Sequence, residues 1–303
     1  MVHITVIGAG VVGLSSAVSI QRAFPGATVK VVADKFYDET TSIGAGGIFL
    51  PTLKNIPGVP FETLKRWSET SWKAYSRMAT TDLASTTGHT VSHGYLFHTT
   101  KTEIPLYANI VFSFREMLTE ELTRLGVDTR FKYGYEITTI ITNMRKYLSW
   151  LMTQFTENGG VVEKRKIGSL SEVEAPWVRD WIYTDTMAHI LPSDDFTVIG
   201  GVKDKDNWSM TPDSSVRQDI MDKCLQVWPA LKGAKVIGDW VGLRPMRNPV
   251  RLEKEVVRLP EGMLKVVHNY GHGSNGIALS WGTAVEATDM VKDLISTIPS
   301  PKL

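Results

Sequence analysis

The sequence predicts an α/β fold in which a Rossmann-like nucleotide-binding domain at the N-terminus is accompanied by a second domain. Three observations support this prediction. The chain has 303 residues, and domains usually take about 100–200 residues each. Its first 34 residues combine a strand, a G-x-G-x-x-G turn, a helix, a second strand and an acidic residue. A second glycine-rich turn leads into a long helix near the C-terminus.

The N-terminal unit has a clear pattern. A short apolar strand, His3–Ile7, runs into the glycine turn Gly8–Gly13, and a helix is predicted over Leu14–Ala23. A second strand is predicted at Thr28–Val32, and Asp34 follows Gly13 by 21 residues. This order and spacing are typical of a dinucleotide-binding fingerprint. The pattern alone leaves FAD and NAD open, with an ordinary βαβ turn as the alternative.

Each part of the fingerprint has a physical role. Gly8 allows the tight turn, Gly10 lets the backbone approach a pyrophosphate, and Gly13 lets the helix pack closely on the strand. The helix N-terminus offers unpaired N–H groups and partial positive charge to the phosphates. The Asp34 carboxylate can accept hydrogen bonds from a ribose hydroxyl.

Hydrophobic spacing and glycine or proline boundaries predict the remaining elements. Helices are predicted at Phe61–Met78, Met117–Leu125, Arg145–Asn158, Val216–Leu231 and Ser274–Ile295. Strands are predicted at His93–Phe97, Asn109–Phe114, Val161–Lys166, within Ile190–Gly201, and at Leu264–Val267. The small, glycine-rich segment Thr40–Gly47 is either a flexible loop or a close approach of the backbone to a cofactor.

Composition excludes several function classes. The formal net charge of +1 gives no reason to expect nucleic acid as a partner. The stretch Val2–Ile20 lacks the basic start of a signal peptide, and no apolar run elsewhere reaches membrane-spanning length, so no membrane association is expected. A single cysteine, Cys224, excludes an internal disulfide, fits a reducing compartment and is predicted to be a small core residue.

His89, His93 and His98 lie close together in the sequence. The segment does not resemble a helix, and no carboxylate is placed with the histidines, so no metal site is predicted.

A second group of motifs lies near the C-terminus. Arg244 stands in a rigid Gly-Leu-Arg-Pro setting, which suits a bidentate grip on a carboxylate. The alternative is a surface salt bridge to Glu253 or to a helix carboxylate. The glycine-rich turn around Gly273 and Ser274 feeds the terminal helix and forms a second site that favours anions.

With these motifs in place, the chain resembles the D-amino-acid oxidase and D-aspartate oxidase family. The matching segments run in family order: VIGAGVVGLSSA, VVADKF, TTSIGAGG, FSFREM, RKYLSWL, APWV, VIGG, GLRPMRNPVRLE and HNYGHGSNGIALSWGTA. The resemblance implies a Rossmann-like FAD-binding domain interleaved with a sheet-rich α+β substrate domain. The FAD-binding domain would comprise residues 1–50, 143–174 and 244–303, and the substrate domain residues 51–142 and 175–243.

The resemblance also implies a reaction and a site. Hydride would pass from the Cα of a D-amino acid to flavin N5, and oxygen would reoxidise the flavin to give a 2-oxo acid, ammonia and hydrogen peroxide. Arg244 matches the arginine that binds the substrate carboxylate, and the backbone near Gly273 and Ser274 matches the part that accepts the amino group. The residues that match the FAD site are Gly8, Ala9, Gly10, Val11, Val12, Gly13, Asp34, Lys35, Thr41, Ser42, Gly46, Gly47, Gly273, Ser274, Gly276, Ile277 and Ala278.

Two departures from the family pattern bear on function. His189 stands where the family has a tyrosine that helps to hold the substrate carboxylate, and Tyr183 lies six residues earlier. A block of the family pattern is also missing after about Leu170, because no apolar run between Ile167 and Trp181 supplies the family's next buried strand. We therefore expect a shortened variant with reduced stability and reduced FAD affinity.

Substrate preference leans toward D-aspartate and D-glutamate, because Ser274 and the GLRP motif resemble the acidic-substrate enzymes. Lys54 or Arg247 would supply the charge for the side-chain carboxylate. An oxidase of neutral D-amino acids, or a remnant with little or no activity that binds flavin or a partner, is the alternative.

The chain ends in Lys302-Leu303 after a proline, which resembles a peroxisomal Ser-Lys-Leu signal. This tail, together with peroxide chemistry, leads us to expect peroxisomal import through the receptor for such signals. A cytoplasmic protein with an ordinary polar tail is the alternative, and the sequence does not fix the oligomeric state.

Overall fold

The computed structural model describes residues 2–164, 180–192, 196–201, 209, 211–242 and 245–296. Within these ranges the helices are α1 Val11–Ala23, α2 Phe61–Ala79, α3 Ala84–Thr87, α4 Thr119–Arg124, α5 Met144–Glu157, α6 Ser214–Val227 and α7 Gly276–Ser296. The strands are β1 His3–Ile7, β2 Thr28–Ala33, β3 His89–His98, β4 Ser113–Glu116, β5 Tyr133–Thr142, β6 Val161–Lys164, β7 Trp181–Thr184, β8 His189–Pro192, β9 Thr197–Gly200, β10 Met246–Leu259 and β11 Gly262–His272.

The N-terminal unit forms a parallel sheet of strand order β1-β2-β6. Ile7 pairs with Val32 in β2, and Lys30 of β2 pairs with Val161 of β6. Val29 and Val31 of β2 are buried in a core that they share with helices α1, α5 and α7. The α/β class predicted from the sequence is confirmed.

The strand β1 forms the edge of this sheet among the described residues, since it pairs there with β2 only. The side chain of Ile7 at its end is 86% exposed, which is unusual for isoleucine in a strand of a parallel sheet. An exposed edge is the outcome expected where the sequence lacks an apolar run for a further strand. The segment in which the loss of a block is expected lies outside the described residues, so that loss stays a prediction at this point.

The second large sheet has six strands in the order β4-β5-β3-β7-β8-β9. All its neighbouring pairs are antiparallel except β3 and β7, which run parallel. Tyr135, Ile137 and Trp181 are buried in one of its cores. Strands β10 and β11 form a long antiparallel hairpin that returns the chain to α7. The domain boundaries given above remain a prediction.

Helices α1 and α7 pack together and run in the same direction. The hydroxyl of Ser15 lies 3.3 Å from that of Ser280, and further along both helices the hydroxyls of Ser19 and Thr288 are 2.8 Å apart. Ser15 and Ser280 are each the fifth residue of their helix. The two helices therefore begin side by side at one edge of the molecule.

Several sequence predictions differ from the structure. The predicted strand Asn109–Phe114 is wrong over its first residues, because Leu106–Asn109 form a 3₁₀ turn and the strand begins at Ser113. The predicted helix Val216–Leu231 breaks at Trp228, because Pro229 cannot continue it and starts a 3₁₀ turn. The terminal helix begins at Gly276, after a 3₁₀ turn.

The sequence analysis also missed three of the described strands, β5, β7 and β10. Strand β7 has only four residues, which is too short to show a period. Strand β5 pairs with β4 on one side and β3 on the other and is buried on both faces over its second half, so its run of threonines and isoleucines lacks a clear alternation. Strand β10 carries Asn248-Pro249 near its start, and because proline is rare inside strands, the sequence did not indicate a strand there. Among the described residues, no helix is long and apolar enough to cross a membrane.

Candidate active site

The glycine turn after β1 has the backbone geometry that the fingerprint requires. Gly8 has φ +103°, a conformation that side chains with a Cβ rarely adopt. A Cβ built on Gly13 would lie 2.0 Å from the carbonyl oxygen of Gly8, so only glycine permits helix α1 to pack this closely. The turn is therefore shaped as predicted, with Ala9 and Val11 buried beneath it.

The start of α1 presents backbone donors. The first N–H groups of a helix have no partner within it. The Val11 N–H donates to the Ser42 hydroxyl at 3.0 Å, which draws the predicted Thr40–Gly47 loop against the turn. Asp34 and Lys35 follow the end of β2 and are half-buried. The N–H groups of Val12 and Gly13 belong to the same first turn and are available to an anion by this geometry.

Because α1 and α7 start side by side, two positive helix ends lie at one edge of the molecule. The turn Gly273–Asn275 precedes α7, and Gly273 has φ +55°. Ser274 is exposed, whereas Ile277 and Ala278 in the first turn of α7 are buried. The structure thus brings the N-terminal and C-terminal groups of predicted FAD-binding residues to one edge.

The turn at Gly273 is held from two sides. The Gly273 N–H donates to the Pro245 carbonyl at 3.1 Å. The side-chain amide of Asn275, which is only 3% exposed, donates to the Thr52 carbonyl at 2.9 Å. Arg244, the predicted carboxylate-binding residue, lies outside the described residues. Its neighbour Pro245 is nevertheless bonded to the turn that is predicted to hold the substrate amino group.

Tyr183 and His189 are brought together by the pairing of β7 and β8. They are directly opposite each other in register, and their rings stack with centroids 5.2 Å apart and planes within 6°. The His189 ring also covers Gly200 and Gly201, where a built Cβ would lie 2.1 and 2.3 Å from ring atoms. The glycine pair therefore makes room for the histidine.

The Thr40–Gly47 loop joins the two sheets. A Cβ on Gly44 would meet the ring of Trp240 at 2.1 Å, and one on Gly46 would meet the Leu191 side chain at 2.0 Å. Gly47, with φ +68°, packs against the Thr142 backbone. Thr41 approaches Gly242, three residues before Pro245. These contacts hold the loop against the protein on several sides, and its close approach to a cofactor stays a prediction.

His272 is a site residue that the sequence analysis did not single out. Its ring is 2% exposed and its Nε2 lies 3.2 Å from the Thr283 hydroxyl, so it anchors the glycine turn onto the body of α7. Burial lowers the pKa of His272 to about 4, and the ring is neutral at physiological pH. Its place inside a glycine-rich motif gave no signal of this structural role.

The positions of several other residues answer questions that the sequence raised. Glu253, considered above as an alternative partner for Arg244, pairs with Arg251 at 2.6 Å. His89, His93 and His98 all lie on β3, and His93 faces the carboxylates of Glu136 and Asp180. In the part of the chain that the structure describes, no group of three or more His, Cys, Asp or Glu side chains could hold a metal ion. Cys224 is buried, as predicted.

The fold and this edge define a protein of the dinucleotide-binding oxidoreductase class. The model of the FAD dependent oxidoreductase family matches residues 3–180 and 161–290. The chain is 32% identical to D-aspartate oxidase of Homo sapiens, with 99% of this chain and 97% of the relative covered. It is 27% identical to D-aspartate oxidase 1 of Caenorhabditis elegans, with 97% and 98% covered.

Solved structures agree on the fold. Glycine oxidase from Bacillus cereus superposes with a TM-score of 0.73 at 15% identity, covering 100% of this chain and 99% of its own. Glycine oxidase from Geobacillus kaustophilus gives a TM-score of 0.74 at 14% identity, with 97% and 95% covered. The chain belongs to the FAD dependent oxidoreductase family, and FAD is its cofactor.

The residues present fit FAD at its pyrophosphate. Gly8 and Gly10 place no side chain where the backbone of the turn would meet an anion, and the donors of α1 lie at the same edge as those of α7. Beside β1, where the described part of the sheet ends, the structure describes no further strand that would border the cofactor.

The comparison with the human relative also indicates a shortened chain. Its alignment spans 336 positions, whereas this chain has 303 residues, so at least 33 aligned positions are gaps in this chain. The two segments matched by the family model overlap at residues 161–180, around the place where the sequence analysis located the missing block. That place itself lies largely outside the described residues.

Proposed function

We propose that this chain is an FAD-dependent oxidase of D-amino acids. The observation that carries the proposal is the convergence at one edge of two helix N-termini, the Gly273 turn and the Pro245 carbonyl that follows Arg244 in the chain. The names of its relatives, D-aspartate oxidase and D-amino acid oxidase, support the same reaction. Bound FAD supplies the hydride acceptor and returns the electrons to oxygen, giving hydrogen peroxide.

The chain's own residues bind and align the substrate. The Arg244 guanidinium grips the α-carboxylate through two parallel hydrogen bonds. The backbone at Gly273 and Ser274 accepts hydrogen bonds from the substrate amine. With both ends held, the Cα–H bond has one orientation, and alignment supplies most of the rate enhancement without a strong side-chain base. The imino acid product hydrolyses to a 2-oxo acid and ammonia.

The stacked pair of Tyr183 and His189 is the second contact for the carboxylate. The family tyrosine is replaced by His189, and the cross-strand position of Tyr183 puts a phenol beside the histidine. The two rings offer a hydroxyl and an imidazole to this contact.

The preferred substrates are D-aspartate and D-glutamate. Two cationic residues flank the Gly273 turn. Lys54 lies in a short 3₁₀ turn next to Asn55, whose carbonyl oxygen would lie 3.0 Å from a Cβ on Gly273. Arg247 packs beside Gly271, two residues before the same turn. Both are exposed and can reach a side-chain carboxylate.

Oxygen uptake and peroxide formation with D-aspartate, D-glutamate and D-alanine test the reaction and the preference together. We expect D-aspartate to be used best, L-aspartate to be inert and Arg244→Met to lose activity. A clear preference for D-alanine would contradict the proposed preference for acidic substrates. If the flavin-loaded protein oxidises no D-amino acid, the proposed function is wrong.

A second candidate is a shortened form that binds FAD weakly and turns over little, for which the open edge of β1 and the exposed Ile7 are the specific observations. The absorption spectrum of the purified protein decides between them. A flavin-to-protein ratio near one after gel filtration supports the oxidase, and a colourless protein supports the weak binder.

We also propose peroxisomal localisation through the C-terminal Lys302-Leu303. The peroxide product gives this destination a chemical reason. A reporter that carries the last residues of the chain should gather in peroxisomes, and an entirely cytosolic signal would remove the proposal.

A further inference from the structure

A chain of buried hydroxyl groups joins the two helices that begin at the cofactor edge. Ser15 lies on α1 and Ser280 on α7, with their Oγ atoms 3.3 Å apart. The Tyr75 hydroxyl of α2 lies 2.7 Å from Ser280 Oγ and 2.7 Å from the Ile277 carbonyl oxygen. Ser15 and Ser280 are completely buried and Tyr75 is 1% exposed, so these groups bond to one another and not to bulk water.

The hydrogen bonds among these hydroxyl groups can all point in one direction, so that every donor has an acceptor. Tyr75 donates its proton to the Ile277 carbonyl, which leaves its oxygen free to accept from Ser280. Ser280 Oγ then accepts from Ser15. Each hydroxyl group donates once, and the sequence of bonds runs from α1 into the first turn of α7.

The position of Tyr75 is fixed by its surroundings. Its ring lies edge-on to Phe49 and Tyr147, at centroid distances of 6.3 and 5.9 Å, and 5.0 Å from the ring of His89. Phe49 follows the glycine loop that contacts α1. Since these rings hold the phenol on three sides, its hydroxyl can fix the helix turn to which it is bonded.

We propose that Tyr75 is a positioning residue for the cofactor: through Ile277 and Ser280 it sets where the first turn of α7 lies relative to α1. The proposal rests on the assignment of this edge to FAD. In bound FAD the N-terminus of α1 would hold the pyrophosphate and that of α7 would lie toward the flavin ring. The hydroxyl chain would then link the binding of one end of FAD to the electrostatic field at the other.

The test is Tyr75→Phe, which keeps the ring and removes the hydroxyl. Tyr107→Phe is the matched control, because Tyr107 is also buried, at 3% exposure, but lies in the core of the six-stranded sheet and contacts none of the groups in the hydroxyl chain. Two quantities are measured on each protein: the FAD dissociation constant by fluorescence titration and the two-electron reduction potential of bound FAD by spectroelectrochemistry.

We expect Tyr75→Phe to weaken FAD binding roughly tenfold, the usual scale for a lost buried hydrogen bond together with a displaced turn. We also expect it to lower the reduction potential, since a displaced positive helix end stabilises the reduced anionic flavin less. Tyr107→Phe should leave the potential unchanged. A merely structural role would lower the melting temperature of both variants alike and leave the potential where it was.

Equal potentials and equal FAD affinity in wild type and Tyr75→Phe would overturn the proposal. If Tyr75→Phe does not fold, Ser280→Ala interrupts the same chain without touching the aromatic group, and the same two measurements decide. Neither quantity depends on turnover. Wild-type protein that binds FAD but oxidises no D-amino acid would therefore contradict the proposed function and leave this inference standing.

Discussion

At the scale of single residues, burial has fixed the charge state of two histidines. His89 is completely buried between the rings of Tyr75 and Tyr147, and burial lowers its pKa to about 3. His272 is similarly buried, with a pKa of about 4. The unfolded chain takes up a proton on each ring near pH 6.5, whereas the folded chain resists protonation.

Folding stability should therefore be complete above pH 6.5 and decrease as the pH falls from 6.5 toward 4. At pH 5 each ring costs about 2 kcal/mol relative to pH 7. Urea unfolding at the two pH values measures this loss. His89→Phe, which preserves an aromatic ring in the cluster, should remove about half of the difference. An unchanged pH dependence in that variant would show that His89 is not responsible.

The glycine turn gives a second residue-scale prediction. Gly13→Ala places a methyl group 2.0 Å from the Gly8 carbonyl oxygen, in contact with backbone that cannot rotate away. We expect a loss of about 1–3 kcal/mol in the free energy of unfolding, together with much weaker FAD binding.

Gly26→Ala is the matched control for that substitution, because nothing lies within 4 Å of a Cβ there. Chemical denaturation and flavin titration of the two variants check the pair. Equal behaviour of the two alanine variants would contradict the close packing.

The residue roles that the sequence predicted best are those fixed by local backbone geometry. Gly8 and Gly13 follow from a short motif, because the turn and its packing involve residues a few positions apart. The contact between Tyr183 and His189 follows from the register of two strands. Tyr75 and Ser280 are 205 residues apart in sequence, so no local pattern could have paired them.

At the scale of elements, helices α2 and α7 approach closely at Gly282. The Gly282 N–H donates to the Ser71 hydroxyl at 2.8 Å, and a Cβ on Gly282 would lie 2.2 Å from the carbonyl oxygen of Trp67. Gly282→Ala must separate the two helices and should cost about 2 kcal/mol in the free energy of unfolding.

Gly276→Ala, at the start of the same helix, provides the comparison. Its added Cβ makes only an ordinary contact of 3.8 Å with His272, and alanine favours the helix. Thermal unfolding of the apoprotein should therefore separate the two variants by several degrees. If both melt together, the crossing of α2 and α7 is less tight than described.

Element boundaries could be predicted where capping residues mark them. Asn143 begins α5 by accepting from the N–H groups of Arg145 and Lys146, and the predicted start was off by one residue. Gly126 and Gly159 end their segments with positive φ, as glycines after helices often do. Strand β5 was missed because a strand buried by both neighbouring layers has no two-residue period to detect.

At the scale of the whole molecule, the parallel sheet ends at β1 among the described residues. The side chain of Ile7 at this edge is exposed. A chimera that receives, after Leu170, the corresponding segment of human D-aspartate oxidase should regain a strand at this edge. We expect a higher melting temperature and tighter FAD binding than in the natural chain.

Differential scanning fluorimetry with and without added FAD makes that comparison. A control chimera that receives a glycine- and serine-rich segment of equal length separates the strand from mere chain length. If the two chimeras behave alike, the open edge does not limit cofactor binding.

The family and fold class were predictable from sequence because each motif that indicates them is a short contiguous run of residues. Such a run can be recognised without knowing the tertiary structure. The path of the second sheet, with β3 and β7 parallel across a long connection, was not predictable from those motifs. Such contacts depend on which faces remain apolar after the whole chain has folded.

The parallel start of α1 and α7 also has a consequence for the life of the protein in a cell. Two positive helix ends that lie side by side repel each other until an anion sits between them. Because a ligand stabilises the folded state in proportion to the logarithm of its concentration, the steady-state amount of this protein should follow the supply of riboflavin, rising and falling with the diet or growth medium of its host.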